Sequence, residues 1–251
     1  MGDQLSSALR HIGKLAILIG DTVRFTFRRP FGFDLLMAQL YHLGVRSLSI
    51  TTITALFTGM VLALQTAHTL GIYGAKLLIG DAVSLSIVRE LGPVLTSLLV
   101  AGRVGAGITA EIGSMAVTEQ VDAIRALGAS PVKKLVVPKV LATIIMLPLL
   151  TILADFIGIF GGLIISVKDL DQSSAYYIQH VITALTFDDI FSGVGKTFFF
   201  AAFIAVIGCY NGLNATGGAD GVGRATTGTV VVASIMILIS NFFLTKMFLL
   251  L

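Results

Sequence analysis

Five apolar stretches, each long enough to cross a bilayer, constrain this chain more than any motif in it. Residues 47–75 carry no charge, 91–110 carry only Arg103, 140–167 carry only Asp155, and 197–219 and 225–245 are charge-free. About 20 mostly apolar residues wound as a helix suffice to span the hydrocarbon layer. The two-residue alternation of a membrane β-barrel is absent, which leaves helices. Composition agrees, with 55% hydrophobic and 12% charged residues, against roughly a quarter charged in a soluble domain. The sequence therefore predicts an all-α integral membrane protein. It reads as one domain over residues 1–251, with 1–46 an interfacial segment and 47–251 the transmembrane core.

Ahead of the first span, LSSALRHIGKLAILIGDTVRF places Leu5, Leu9, Ile12, Leu15, Ile19 and Val23 at helical spacing, with Arg10, His11 and Lys14 on other faces. Such an amphipathic helix lies along a membrane surface. No small-residue cleavage site follows a short apolar core, so the segment is not read as a signal peptide. The opening MGDQLS fits the permissive myristoylation pattern, a match that chance explains.

Orientation follows from Lys and Arg. With the N-terminus inside, the inner segments hold Arg10, Lys14, Arg24, Arg28, Arg29, Arg46, Arg103, Arg125, Lys133, Lys134, Lys139 and Arg224. Lys76, Arg89, Lys168, Lys196 and Lys246 fall outside, so twelve of the 17 basic residues support N-terminus in and C-terminus out. The net charge of +3 gives no reason to invoke nucleic acid. Cys209 is alone, which excludes a disulfide framework. His11, His42, His68 and His180 are scattered without metal-ligand spacing, so no metal is expected.

Nucleotide signatures fail on context. IFSGVGKT at 190–197 ends like a P-loop, but position 190 is Ile, no strand precedes it and an apolar span follows directly. Lys196 is read instead as an anchor at the outer end of the fourth span. GADGVG at 218–223 and GRVGAG at 102–107 likewise lack a preceding strand. NAT at 214–216 fits a glycosylation acceptor but falls on the predicted cytoplasmic side.

Between the second and third spans lies EQVDAIRALGASP, residues 119–131. Glu119 and Asp122 suit a helix start, Arg125 sits three residues beyond Asp122, and Gly128 followed by Pro131 supplies a stop. Val121, Ile124 and Leu127 give this short helix one apolar edge. The topology makes it cytoplasmic. A solvated connector is one reading, and a rigid knob for a partner's cleft is the other.

The run RELGPVLTSLLVAGRVGAGITAEIGSMAVTEQVDAIRALGASP, residues 89–131, resembles the MlaE family of ABC-type lipid permeases. LPLL at 147–150, GGLI at 161–164 and GRATTGTVV at 223–231 extend the likeness. The resemblance implies a homodimeric, multi-pass permease of the bacterial inner membrane that moves phospholipid, a cytoplasmic ABC ATPase, and a periplasmic Mce-domain lipid carrier. A small cytoplasmic STAS-domain protein is a further implied partner, and maintenance of outer-membrane lipid asymmetry the implied role. ATP would be bound by the partner, so this chain would have no catalytic residues and no cofactor. Glu119, Asp122, Arg125, Leu127 and Gly128 would form the coupling helix that docks the ATPase. DAIRALG, Asp122 to Gly128, also resembles the EAA loop of ABC importers, although Pro138 departs from that loop's ending. Arg89, Glu90, Leu91 and Tyr73 are the candidates for the lipid cavity.

Charges inside spans are expensive and invite a role. Arg89 and Glu90 are placed at the outer end of the second span, beside Gly92 and Pro93. Arg89 would hold a lipid phosphate and Glu90 would pair with a cation; the alternative is a pair of anchors that set the helix's depth. Arg103 and Glu111 fall toward the inner end, where bracing the adjoining loop competes with touching substrate. Asp155 lies roughly 24 Å along its helix from Lys139 at about 1.5 Å per residue, which puts it near the outer surface as an interfacial carboxylate. Ala101, Gly105 and Thr109 form one small-residue ridge, and Gly158 and Gly162 another, for close helix contacts. Two rival functions are an ion-coupled secondary transporter, with Asp155 as proton site, and a non-transporting scaffold.

Overall fold

The computed structural model describes residues 2–27 and 32–250. Met1, Arg28 and Arg29, which enter the myristoylation and topology readings, lie outside the described residues. The described chain is helical throughout, without strands. Helix α1 spans Gly2–Thr26, α2 Phe33–Leu43 and α3 Leu48–Ile72, with one tight turn at Val45–Ser47 joining the last two. A long helical run, α4, covers Lys76–Val117; a short helix, α5, covers Gln120–Ala126; α6 covers Val132–Lys168. Helix α7 is Ser174–Ala184, α8 Phe187–Leu213 and α9 Gly218–Leu250.

Five segments are long and apolar enough to cross a membrane: Phe33–Ile72, Lys76–Val117, Val132–Lys168, Phe187–Leu213 and Gly218–Phe248. The protein is an all-α integral membrane protein. The helices nevertheless outrun the charge-free stretches. The second is 42 residues long and the fourth begins at Phe187, ten residues before the expected 197. Arg89 and Glu90 are therefore not at the outer end of their helix; they lie well inside it. Their charges end the apolar stretch in the sequence without ending the helix, because partners on other helices accept them.

Helical turns widen to the π form at Ile87–Leu91, Ala101–Gly105 and Val132–Val136. Each of these turns carries basic side chains, namely Arg89, Arg103 and the pair Lys133 and Lys134. Such bulges free backbone carbonyls and redirect side chains, and they recur at functional sites.

Two compact units are distinguished. The first takes the chain to Leu43 together with 101–143 and 202–235. There Thr109 Oγ1 lies 3.0 Å from the Gly208 carbonyl and 2.8 Å from Thr229 Oγ1, while a Cβ on Gly105 would press on Ile204. The ridge of Ala101, Gly105 and Thr109 is thus packed on α8 and α9. Helix α1 rests on the turn Val132–Val136, with Leu18 and Thr22 buried and Ile19 and Val23 exposed.

The second unit takes 44–100, 144–201 and 236 to the end. Helices α3 and α6 cross there in backbone contact: a Cβ on Gly59 would run into the Gly158 carbonyl, and one on Gly161 into that of Leu56. Gly162 leaves room for the ring of Tyr177, whose hydroxyl donates to the Ile159 carbonyl at 3.2 Å. Packing of small residues is what draws helices together where no water is displaced.

Candidate functional site

A proline sets up the site. Pro93 has no N–H to return along α4, and the Arg89 carbonyl four residues earlier accepts from Lys196 Nζ of α8 at 3.0 Å. The same ammonium donates to Glu90 Oε1 at 2.7 Å and to Thr245 Oγ1 of α9 at 2.7 Å, so its three protons are all placed. Lys196 is fully buried. Its expected role as an anchor at a helix end is corrected: three acceptors supply inside the protein what water would supply at an interface. Gly193, one turn earlier, permits the approach, since a Cβ there would collide with the Val88 carbonyl.

Glu90 is held on both oxygens. Oε1 receives Lys196 and the Thr245 hydroxyl at 2.9 Å, and Oε2 receives Asn241 Nδ2 at 2.8 Å. The expectation that Glu90 pairs with a cation is met within the subunit. Arg89 turns to Asp189 instead. Its Nε donates to Asp189 Oδ1 at 2.5 Å and its Nη2 forms an ion pair with the same oxygen. Asp189 is buried, and its second oxygen accepts the Thr186 backbone N–H at 2.9 Å and the Thr186 hydroxyl at 2.8 Å. Thr186 and Asp189 thereby form a variant of the capping box at the start of α8, with Asp at the position usually held by Glu.

Two cations and two anions thus neutralise one another, and each pair has one buried and one accessible partner. The side chains of Arg89 and Glu90 retain 47% and 38% exposure, against 4% for Asp189 and 1% for Lys196. Glu90, Asn241 and Thr245 form the polar wall of a groove of about 490 Å³, with Lys246 at its edge and Leu238, Phe242 and Leu250 as its apolar wall. The groove thus sets charged and polar groups beside an apolar wall.

The other cavity candidates fall elsewhere. Leu91 lines a small space with Thr51, Gly92 and Thr96. Tyr73 caps the end of α3 and is exposed, and no described contact joins it to Arg89 or Glu90. Asp155 also departs from expectation: it is 7% exposed, against Gly92, and its Oδ1 has no hydrogen-bond partner. The expectation of an interfacial carboxylate in reach of water is corrected, because α4 covers it. Glu111 reaches Lys139 of α6 at 2.5 Å, and the same ammonium lies 3.3 Å from Gln39 of α2. That contact ties three helices together, as bracing requires. Arg103 is exposed.

The segment at 119–131 folds as its signals predict. Helix α5 runs Gln120–Ala126, and Arg125 pairs with Asp122 at 2.7 Å on its surface. Gly128, at φ 73°, donates to the Arg125 carbonyl while Ala129 donates to that of Ile124, which completes a Schellman stop. The apolar edge divides. Val121 is buried, Ile124 is partly covered, and Leu127 stands 85% exposed. Glu119, before the helix, adopts φ 60°, a left-handed conformation that a side chain disfavours.

Sequence reasoning missed Asp189, Asn241 and Thr245 and misread Lys196. The Thr-x-x-Asp pattern at 186–189 was available as a capping signal; Asn241 and Thr245, four residues apart in a charge-free stretch, carried none.

Comparison with known proteins agrees with this architecture. The family described as Permease MlaE matches residues 36–247. A probable ABC transporter permease protein of Rickettsia bellii is 44% identical over 248 residues, covering 99% of this chain and 96% of the relative. The intermembrane phospholipid transport system permease protein MlaE of Haemophilus influenzae is 36% identical over 247 residues, covering 98% and 94%. A probable ABC transporter permease protein of Synechocystis is 46% identical over 208 residues, covering 83% and 79%. With the match running from α2 through α9 and including both halves of the charged network, the chain belongs to the MlaE permease family.

Proposed function

We propose that this chain is the transmembrane permease of an ABC-type system that moves phospholipid between the bacterial inner membrane and a periplasmic Mce-domain carrier, and so maintains outer-membrane lipid asymmetry. The observation that carries the reading is the neutralised network beside an apolar groove. Arg89, held by Asp189 but still half exposed, offers its remaining N–H groups to a headgroup phosphate. Glu90, neutralised by the buried Lys196 behind it, gives the groove a polar wall together with Asn241 and Thr245, while Leu238 and Phe242 take hydrocarbon. The name of the Haemophilus relative, a phospholipid transport permease, supports the substrate class.

In this proposal two copies face each other, because five helices are a small wall for a lipid-sized path. The N-terminus is cytoplasmic and the C-terminus periplasmic. Helix α5 docks a separate ATPase, which binds the ATP; the permease itself needs no cofactor. A STAS-domain protein completes the cytoplasmic side. The P-loop-like run at 190–197 lies within α8, with Lys196 committed to Glu90, and so is not assigned a nucleotide.

The test is reconstitution with the ATPase and the Mce-domain carrier into vesicles holding labelled phospholipid. Wild-type protein should transfer lipid in an ATP-dependent way, and Arg89→Ala should assemble yet lose most transfer. Undiminished transfer by Arg89→Ala would remove this network from the lipid path.

A further inference from the structure

We propose that a second groove, between α1, α2 and the start of α6, is a binding site for the headgroup of an anionic phospholipid resident in the surrounding membrane. The inference does not depend on the transport reading, because it rests on a different set of residues.

The chain leaves α5 through the left-handed Gly128 and enters α6 by way of Ser130 and Pro131. Ser130 caps this entry: its hydroxyl oxygen accepts the Lys133 N–H at 3.4 Å and its carbonyl accepts the Lys134 N–H at 3.1 Å. The π turn at Val132–Val136 then presents two consecutive lysines at the mouth of a groove of about 420 Å³. Phe25 of α1, Leu35 of α2, Val137 and Pro138 form its apolar wall.

Charge selects the occupant. Among the described residues no carboxylate lines the groove, and neither Lys133 nor Lys134 has an acidic partner. Two cationic side chains lining one groove without a carboxylate favour an anion as its occupant. Hydrocarbon selects further. Phe27, Phe33 and Leu35 near the groove are exposed, as side chains are where acyl chains cover them. Free phosphate would satisfy the lysines alone, and a zwitterionic lipid would bring its own cation close to them along with its phosphate. An anionic lipid satisfies the lysines and the apolar wall, in keeping with the way basic pockets beside membrane helices hold acidic headgroups.

The experiment uses the full-length permease, purified in detergent, stripped of lipid and examined by native mass spectrometry during titration with phosphatidylglycerol, phosphatidylcholine or inorganic phosphate. Wild-type protein should retain phosphatidylglycerol in preference to phosphatidylcholine. Lys133→Gln with Lys134→Gln should weaken that retention by roughly thirtyfold, the loss of two lysine contacts to an acidic headgroup. Lys133→Arg with Lys134→Arg should keep it, which guards against a mere folding defect. Inorganic phosphate should not displace the lipid. Equal retention of both lipids, unchanged phosphatidylglycerol binding in the glutamine variant, or full displacement by phosphate would each overturn the site. So would a glutamine variant that keeps its lipid but no longer holds the ATPase, since the lysines would then serve protein docking.

Discussion

Lys196 Nζ sits 2.7 Å from Glu90 Oε1 and 3.0 Å from the carbonyl of the residue before it, so one buried ammonium closes both a side-chain ion pair and a backbone gap left by Pro93. The helix thus keeps a proline and a π turn within a membrane-spanning segment because a cation from another helix satisfies what they expose. Such an arrangement serves structure and, in the proposed mechanism, substrate handling at once, and the two roles separate by mutation.

Lys196→Ala leaves Glu90 without its cation and the Arg89 carbonyl without a donor. Removing one partner of a buried pair costs about 3 to 5 kcal/mol, and the exposure of Glu90 puts the expectation at the lower end. Thermal unfolding in detergent should show a markedly lower midpoint. The double variant Lys196→Met with Glu90→Leu should recover much of the stability, since neither charge is stranded. If lipid handling needs the charges, transfer stays lost in the double variant; recovered transfer would make the pair purely structural.

Arg89 and Asp189 should respond unequally. Asp189 is buried and accepts from Thr186 as well as Arg89, so Asp189→Ala removes an N-terminal cap and strands a guanidinium. Loss of the cap alone costs roughly 1 kcal/mol. Arg89→Ala should be milder in stability and severe in transfer. Arg89→Lys should not rescue transfer, because a point charge cannot hold Asp189 through two N–H groups and still present others outward. Equal melting of the Asp189→Ala and Arg89→Ala proteins would refute the ordering.

Gly92 and Asp155 offer a test of packing. A Cβ on Gly92 would coincide with Asp155 Oδ1, so Gly92→Ala should destabilise by overpacking, typically 1 to 3 kcal/mol. Shortening the facing side chain should relieve it: Asp155→Gly in the Gly92→Ala background should regain stability, which gives a favourable coupling between the two changes. Because Oδ1 lacks a hydrogen-bond partner, Asp155→Asn should be tolerated or stabilising by the same thermal assay. Strictly additive effects at 92 and 155 would show that the two do not share space.

The spans, the N-terminal helix and the short helix at 119–131 were legible because each rests on local signals: apolar run length, 3.6-residue spacing, and the Asp122, Arg125 and Gly128 placement. Helix ends were not. Arg89, Asp189 and Lys196 look like boundaries to any reading by hydropathy, and only their mutual pairing, about a hundred residues apart in sequence, makes them interior. Asp155 was misplaced for the same reason, since its burial comes from Gly92 on another helix. Asn241 and Thr245 had no local signal, their role being fixed by what α9 faces.

Helix α5 carries the last expectation, that it docks the ATPase. Its base is fixed and its tip is free: Val121 is buried, whereas Leu127 is exposed among the charged residues Asp122 and Arg125. A rigid, capped helix with one uncovered leucine loses little entropy on binding, and a leucine filling a partner's pocket at the centre of a contact is worth about 2 kcal/mol, or roughly thirtyfold in affinity. Leu127→Ala should therefore weaken co-purification of the ATPase by that order while the permease inserts and melts normally. Asp122→Lys and Arg125→Glu should weaken it as well, whereas Val121→Ala should lower the permease's own stability. Glu119 separates conformation from contact. Its left-handed φ of 60° costs roughly 1 to 2 kcal/mol in a residue with a side chain, so Glu119→Gly should stabilise the turn. If the carboxylate also touches the ATPase, that more stable variant will bind less of it. A full complement of ATPase on Leu127→Ala and on both charge reversals would leave α5 a connector and nothing more.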